Sequence, residues 1–318
     1  MDNIPLVDPH VHLGGSIPTR FVWETIDYLG LSHLAKTEQD VIRQMTFAPE
    51  EEHTFLGFLD KFRILDEIPW NEELIDESIA AICGDINDQN TDHLWMDFSI
   101  NKYMRIGWTQ KEAVQFIRRA FDTYAPGKVG LVLSLKYESL KFGQQQYAQL
   151  IQDPDIAEIL VGIDLVGEEA DFDPDFYAPI FKDWNAAKKM TRAHVGESCT
   201  VENVLTAIDK LQVTNVAHGF RILEKPEYIQ RAKDSGITFD LALTSNYITG
   251  VVHPTQRPII LGMIEADLPC TIGSDDPTQL GTTLRDEYSF ATRLGVPDEA
   301  LQQIRRKAYD NYLRFRPS

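Results

Sequence analysis

The 318-residue chain has only three cysteines, Cys83, Cys199 and Cys270, far apart and with no C-x-x-C pair. That excludes a zinc ribbon and a disulfide framework, and it fits a reducing compartment. No stretch approaches the roughly 20 apolar residues needed to cross a bilayer, so no membrane role is expected. Positive charge is scarce: 30 Lys and Arg stand against 49 Asp and Glu, a formal net charge of -19 with a sequence pI near 4.8. Such a field repels phosphate backbones and anionic lipid, which argues against a nucleic-acid polymer as partner and for a small molecule. Low-complexity tracts, long linkers and fixed-period repeats are missing as well. The opening Met1-Asp2-Asn3-Ile4-Pro5 has no basic segment leading into an apolar stretch, so no secretory signal is read and a cytoplasmic protein is expected.

What is present is a large apolar fraction, 43% of the chain, enough for a sizeable core without staples. Short apolar runs recur, each bounded by turn formers: Ile4–His12, His93–Asn101, Val129–Tyr137, Ile159–Gly167, Thr191–Glu197, Asn215–Gly219, Thr238–Asn246 and Cys270–Asp276. Runs of this kind read as strands buried on both faces. Helical stripes lie between them, such as Val114, Ile117, Phe121 and Tyr124 in Lys111–Tyr124, and Val204, Leu205, Ile208 and Leu211 in Val201–Leu211. Eight alternating units predict a TIM-like (β/α)8 barrel formed by residues 1–318 as one domain. The long gap at about 17–91, with Asp60–Arg63, Glu72–Glu77 and the aromatics Trp23, Phe55, Phe58, Phe62 and Trp70, predicts a helical insertion after the first strand. Placed there, it would form a lid or wall at the mouth, although core packing accounts for most of those aromatics.

The polar residues fall at the C-terminal ends of the runs, where barrels of this type assemble their sites. Asp8-Pro-His10-Val-His12 closes the first, His194-Val-Gly-Glu197 the fifth, His218-Gly219 the sixth and Ser274-Asp275-Asp276-Pro277 the eighth. His10 and His12 are two apart on a strand, so both face the barrel interior. Alone, such a pair is more often two surface histidines in a loop; joined to the other strand ends it predicts a metal site. Neutral imidazoles plus one carboxylate suit one Zn²⁺ with a position left for water, other divalent transition metals being possible. Glu197, across a glycine from His194, can stand beside the metal as an acid or base. His218 is either a ligand or a group that orients water. Of Asp275 and Asp276, on an extended segment, one reaches the metal while the other faces solvent, a helix N-terminus or a substrate. Asp276 before Pro277 also suits a helix cap. His33, His53 and His93 sit without partner motifs and read as surface or packing residues.

Together, His10-Val-His12-Leu-Gly-Gly-Ser, Gly162-Ile-Asp-Leu-Val-Gly167-Glu-Glu, His194-Val-Gly-Glu197, His218-Gly219, Thr244-Ser-Asn246…Thr249-Gly250 and Ser274-Asp275-Asp276-Pro277 resemble the adenosine deaminase family, in family order from residue 6 to about 290. The resemblance implies one zinc held by His10, His12, His194 and Asp275. It implies that Glu197 protonates N1 of a purine and that His218 and Asp276 orient the hydroxide that attacks C6, with release of ammonia. Gly167 matches the glycine whose backbone approaches the base; a plain turn glycine is an equal alternative. Gly14 stands where the family usually has an acidic residue that contacts the ribose 5′ hydroxyl, leaving space for a bulkier or differently polar group. Val195 replaces a usual alanine, and His253-Pro254 also matches, in a structural capacity. Gly162–Glu169 holds no lysine of the kind that bridges two metals in related amidohydrolases, which favours one ion. The expected partner is therefore a small purine or nucleoside, the leading alternatives being another cyclic C–N substrate or a catalytically silent nucleoside-binding barrel.

Overall fold

The computed structural model describes residues 4–48, 51, 54–137, 150–253 and 255–316. Its centre is one parallel sheet of eight strands in sequence order: β1 (Val7–His12), β2 (His93–Phe98), β3 (Val129–Lys136), β4 (Leu160–Val166), β5 (Met190–Val195), β6 (Asn215–His218), β7 (Thr238–Leu241) and β8 (Cys270–Ile272). Seven lie within the runs read from the sequence, and β5 starts one residue ahead of its run, at Met190. Burial on both faces explains their near-continuous apolar character, since helices cover the outside and side chains fill the inside. The barrel closes beyond the end of β8, where Val11 and Asp275 form a parallel bridge. His12 N donates to Asp275 O at 2.8 Å and Asp275 N to His10 O at 2.9 Å. The backbone bonds that close the sheet are therefore made by three of the predicted metal ligands.

Among the described residues five α-helices separate β1 from β2: α1 (Thr19–Tyr28), α2 (Glu38–Met45), α3 (Phe55–Asp60), α4 (Arg63–Asp66) and α5 (Glu72–Asp88). The last of them packs beside the next long helix, Gln110–Tyr124, as an ordinary member of the outer ring, so only the first four are extra. Gln110–Tyr124 starts at a capping box, in which the Thr109 hydroxyl accepts from Glu112 N while the Glu112 carboxylate accepts from Thr109 N. It buries Val114, Ile117 and Phe121 and leaves Tyr124 half-buried, donating to Asp76. The stripe read over Val201–Leu211 is also a helix, but its last turn, Ala207–Leu211, widens to π geometry and Leu205 is half-buried. The final helix, Asp298–Phe315, packs on β1 and β8 and covers the closing seam.

Two expectations need correction. The seventh run does not stay extended to Asn246: β7 stops at Leu241, and Leu243–Ile248 is a helix. Its first amides, Leu243 N and Thr244 N, donate to the buried Glu287 carboxylate, a partner too distant in sequence to be foreseen. The Asp275–Asp276 segment is not a simple extended pair either. Asp275 has φ +62, and both aspartates are buried, so neither faces solvent. Among the described residues no helix is long and apolar enough to cross a membrane, and the three cysteines are free.

Candidate active site

Strand alternation sends both His10 and His12 inward from β1, as the two-residue spacing requires. His194, at the end of β5, meets them from across the barrel. Its Nε2 lies 3.0 Å from His10 Nε2, which is 3.2 Å from His12 Nε2. Asp275 Oδ1 completes the group at 3.2 Å from His12 Nε2 and 3.6 Å from His10 Nε2. Four donor atoms, one from each of these residues, all lie within 4.8 Å of one another.

The donor set fits a divalent ion. Four atoms each about 2.0–2.1 Å from a common tetrahedral centre stand about 3.3 Å apart, which is the spacing seen here. His194 Nδ1 faces Asp164 Oδ1 at 3.1 Å, so the imidazole donates there and directs an unprotonated Nε2 at the other histidines. Lone pairs so aimed need a cation between them. The three imidazoles differ: against the downward pull of burial, Asp276 and Asp275 hold His12 up to about 10, while burial keeps His10 well below the usual range and lowers His194. Burial alone would raise Asp275, yet His10 and His12 keep its carboxyl well below the usual range. With Asp275 already ionised, Asp276 is pushed well above the usual range by burial and that neighbouring charge.

Glu197 and His218 flank this group. His218 Nε2 is 3.7 Å from Glu197 Oε2 and 3.9 Å from Asp275 Oδ2, and its Nδ1 is 2.9 Å from Asn246 Oδ1. Donation from Nδ1 to Asn246 leaves Nε2 free to accept. Burial pushes the Glu197 carboxyl up to about 7; His218 opposes the shift, while Asp275 and Glu169 add to it. A carboxyl poised there can donate a proton at neutral pH. His218 and Asp275 both hold positive φ, +59 and +62, a backbone conformation costly for residues with a Cβ and concentrated at functional sites.

The other predicted residues divide. Asp276 sits at the N-cap position of the short helix Pro277–Leu280, but its side chain makes no capping bond there. It packs instead on Gly15, where an added Cβ would come within 1.9 Å of Asp276 Oδ1 and 2.6 Å of its Cα. Gly14, one residue earlier, faces the Phe62 ring, which a Cβ would meet at an ordinary 3.9 Å. Phe62 stands edge-on to Phe58, so part of the insertion reaches this rim. Gly167 ends β4 with φ +105, a conformation open to glycine and hardly to any other residue. His253 is exposed and bonded to Thr255, Pro254 and His53 lie outside the described residues, His33 is exposed, and His93 stacks on Tyr312.

Sequence reasoning passed over four supporting residues. Asp164 orients His194 and Asn246 orients His218; both stood inside quoted motifs without a role. Tyr137 donates to the His194 carbonyl oxygen at 2.6 Å. Glu169 accepts from the consecutive amides of Gly196, Glu197, Ser198 and Cys199 and from Asn203, which fixes the loop carrying Glu197. The adjacent pair Glu168-Glu169 after a strand was a signal of sorts, but which of the two turns inward is decided by the fold: Glu169 is buried and Glu168 is not.

A parallel eight-stranded barrel with imidazoles and a carboxylate gathered at its rim has the architecture of a metal-dependent hydrolase. The adenosine deaminase family model matches residues 5–312, and the chain belongs to that family of hydrolases acting on C–N bonds. An adenosine deaminase of Clostridium perfringens is 24% identical over 293 residues, covering 90% of this chain and 86% of that protein. A Burkholderia ambifaria amidohydrolase solved with bound Zn superposes with a TM-score of 0.83 at 21% identity, covering 97% of this chain and 85% of that one. An N6-mAMP deaminase from Arabidopsis superposes at 0.80 with 19% identity, over 97% and 93% of the two chains.

Proposed function

We propose that the protein is a zinc-dependent deaminase that replaces the 6-amino group of adenosine or a related aminopurine with a 6-oxo group. The convergence of His10, His12, His194 and Asp275 beside a buried, protonatable Glu197 carries this reading. The zinc-bound neighbour supports the choice of metal, and the deaminases among the relatives support the purine. In this reading those four residues hold the ion, which when bound makes a water molecule acidic enough to attack near neutral pH.

The chain's own groups do the rest. Glu197 gives its proton to the purine N1, which withdraws electrons from C6. His218, unprotonated at Nε2, accepts a proton from the attacking water and aligns it, with Asp276 on the other side. Once oxygen has added to C6, His218 passes its proton to the amino group, the C6–N bond breaks to release ammonia, and the C6 hydroxyl returns a proton to Glu197 as the 6-oxo group forms. Gly167 lets the backbone approach the base, and α1 to α4 form a wall or lid over the mouth. Gly14 removes a side chain that would reach toward the ribose. Phe62 borders the space left there, so a 5′-substituted or otherwise bulkier aminopurine suits the site as well as adenosine does.

A panel of aminopurine bases, nucleosides and nucleotides tests the proposal, read by ammonia release and by the ultraviolet change on loss of the 6-amino group. Stoichiometric ammonia and a 6-oxo purine are expected. Ring opening to a carboxylate, or no turnover of any 6-aminopurine, would overturn it.

A further inference from the structure

Two residues before His194 on β5, and therefore on the same inward face, stands Arg192, with no exposed surface. Its guanidinium meets three buried aspartates from three different strands. Nε donates to Asp164 of β4 at 2.6 Å, Nη1 to Asp240 of β7 at 3.2 Å, and Nη2 to Asp97 of β2. Nη1 also donates to the carbonyl oxygen of Pro9, the residue before His10, at 2.5 Å. An arginine cannot give up its proton in a protein, so this is a permanent cation inside the barrel.

The contacts reach the rim by two routes. Asp164 uses one oxygen for Arg192 and the other for His194 Nδ1, so the orientation of that imidazole depends on the arginine. The Pro9 carbonyl is held immediately before His10, where the closing bridge to Asp275 begins. His10, shared with the upper group, also comes together with Asp97 and Asp164, one donor atom from each lying within 4.8 Å of the others, a second cluster of cation-ligand type. Arg192 places its charge against two of those three residues. The planar fork matters because three carboxylates and a carbonyl are contacted at once; a lysine ammonium has three donors and no fixed plane.

We infer that Arg192 is a positioning residue of the metal centre, a built-in cation that fixes Asp164 against His194 and the Pro9–His10 peptide at the closing seam. This rests on the metal reading above. Replacing groups that orient metal ligands typically weakens metal binding by about 10–100-fold.

The test is zinc affinity, by chelator competition, on wild type, Arg192→Lys and the double variant Arg192→Met/Asp97→Asn, with the melting temperature of each metal-free protein measured alongside. The double variant removes one charge of each sign, so it leaves the net charge of the cluster unchanged if the lysine form fails to fold. Ile117→Ala, in the Gln110–Tyr124 helix far from the site, controls for lost stability alone. The expected result is zinc binding weakened about 10–100-fold in the folded Arg192 variants. Ile117→Ala should lower the melting temperature and leave zinc affinity within about twofold. A folded Arg192 variant that binds zinc as tightly as wild type overturns the inference and leaves the metal reading standing. A wild type that binds no divalent ion overturns both.

Discussion

The barrel interior holds two polar layers that differ in one respect. The upper layer, His10, His12, His194 and Asp275, aims donor atoms at one common point and has neither arginine nor lysine among them. The lower layer, Asp97, Asp164 and Asp240, encloses the guanidinium of Arg192. Their charge behaviour follows. In the lower layer Arg192 and His194 hold Asp164 well below the usual carboxylate range despite burial, while burial pushes Asp97 up to about 8 with Arg192 only partly offsetting it. The upper layer must draw its cation from solution, which makes it a site. The lower layer needs none, which makes it a foundation.

The contrast breaks most visibly at Asp275. Asp275→Ala removes the only carboxylate of the upper set, and bound zinc, measured by elemental analysis, should fall below about a tenth of an equivalent with turnover at background. Glu197→Gln should break chemistry without breaking the layer. Metal content and melting temperature stay near wild type, while kcat falls by about 10²–10⁴-fold. Near-normal turnover in that variant would remove Glu197 from its assigned place.

The pH profile sharpens the same point. Glu197, raised by burial to about 7, acts in its protonated form, so the alkaline limb of kcat/KM falls about tenfold per unit above that pH. A profile flat to pH 9 would mean that another group supplies the proton.

The smallest effects separate two neighbours. Gly15→Ala drives a methyl into Asp276 and should cost roughly 1–3 kcal/mol of stability with loss of activity. Gly14→Ala meets only the Phe62 ring at an ordinary distance and should stay within about 0.5 kcal/mol in denaturant melts.

The upper layer was legible in the sequence and the lower was not, for physical reasons. Histidines are scarce, and here they stand at the ends of apolar runs; a two-residue spacing on a strand has one geometric meaning. The eight strands were legible because burial on both faces demands unbroken apolar composition. Asp97, Asp164 and Asp240 each occur once within such runs, and Arg192 two places before a histidine looks like an ordinary polar interruption. Only the closed sheet reveals that these four side chains point at one another across the barrel. The helix Leu243–Ile248 was misread for a related reason. Leu241-Ala-Leu243 continues the apolar run, and what ends the strand is a carboxylate at Glu287 reaching back to the amides of 243 and 244. Glu169 was only half legible, because most of its partners are backbone amides, which carry no sequence signature.

The central claim is that three imidazoles and one carboxylate, spread from residue 10 to residue 275, hold a single ion. X-ray absorption at the zinc edge on the reconstituted protein tests it most directly. One zinc per chain, with three imidazole nitrogens at about 2.0–2.1 Å and a light oxygen shell, is the predicted spectrum. A sulfur shell, fewer than three imidazoles, or two metals per chain would contradict it.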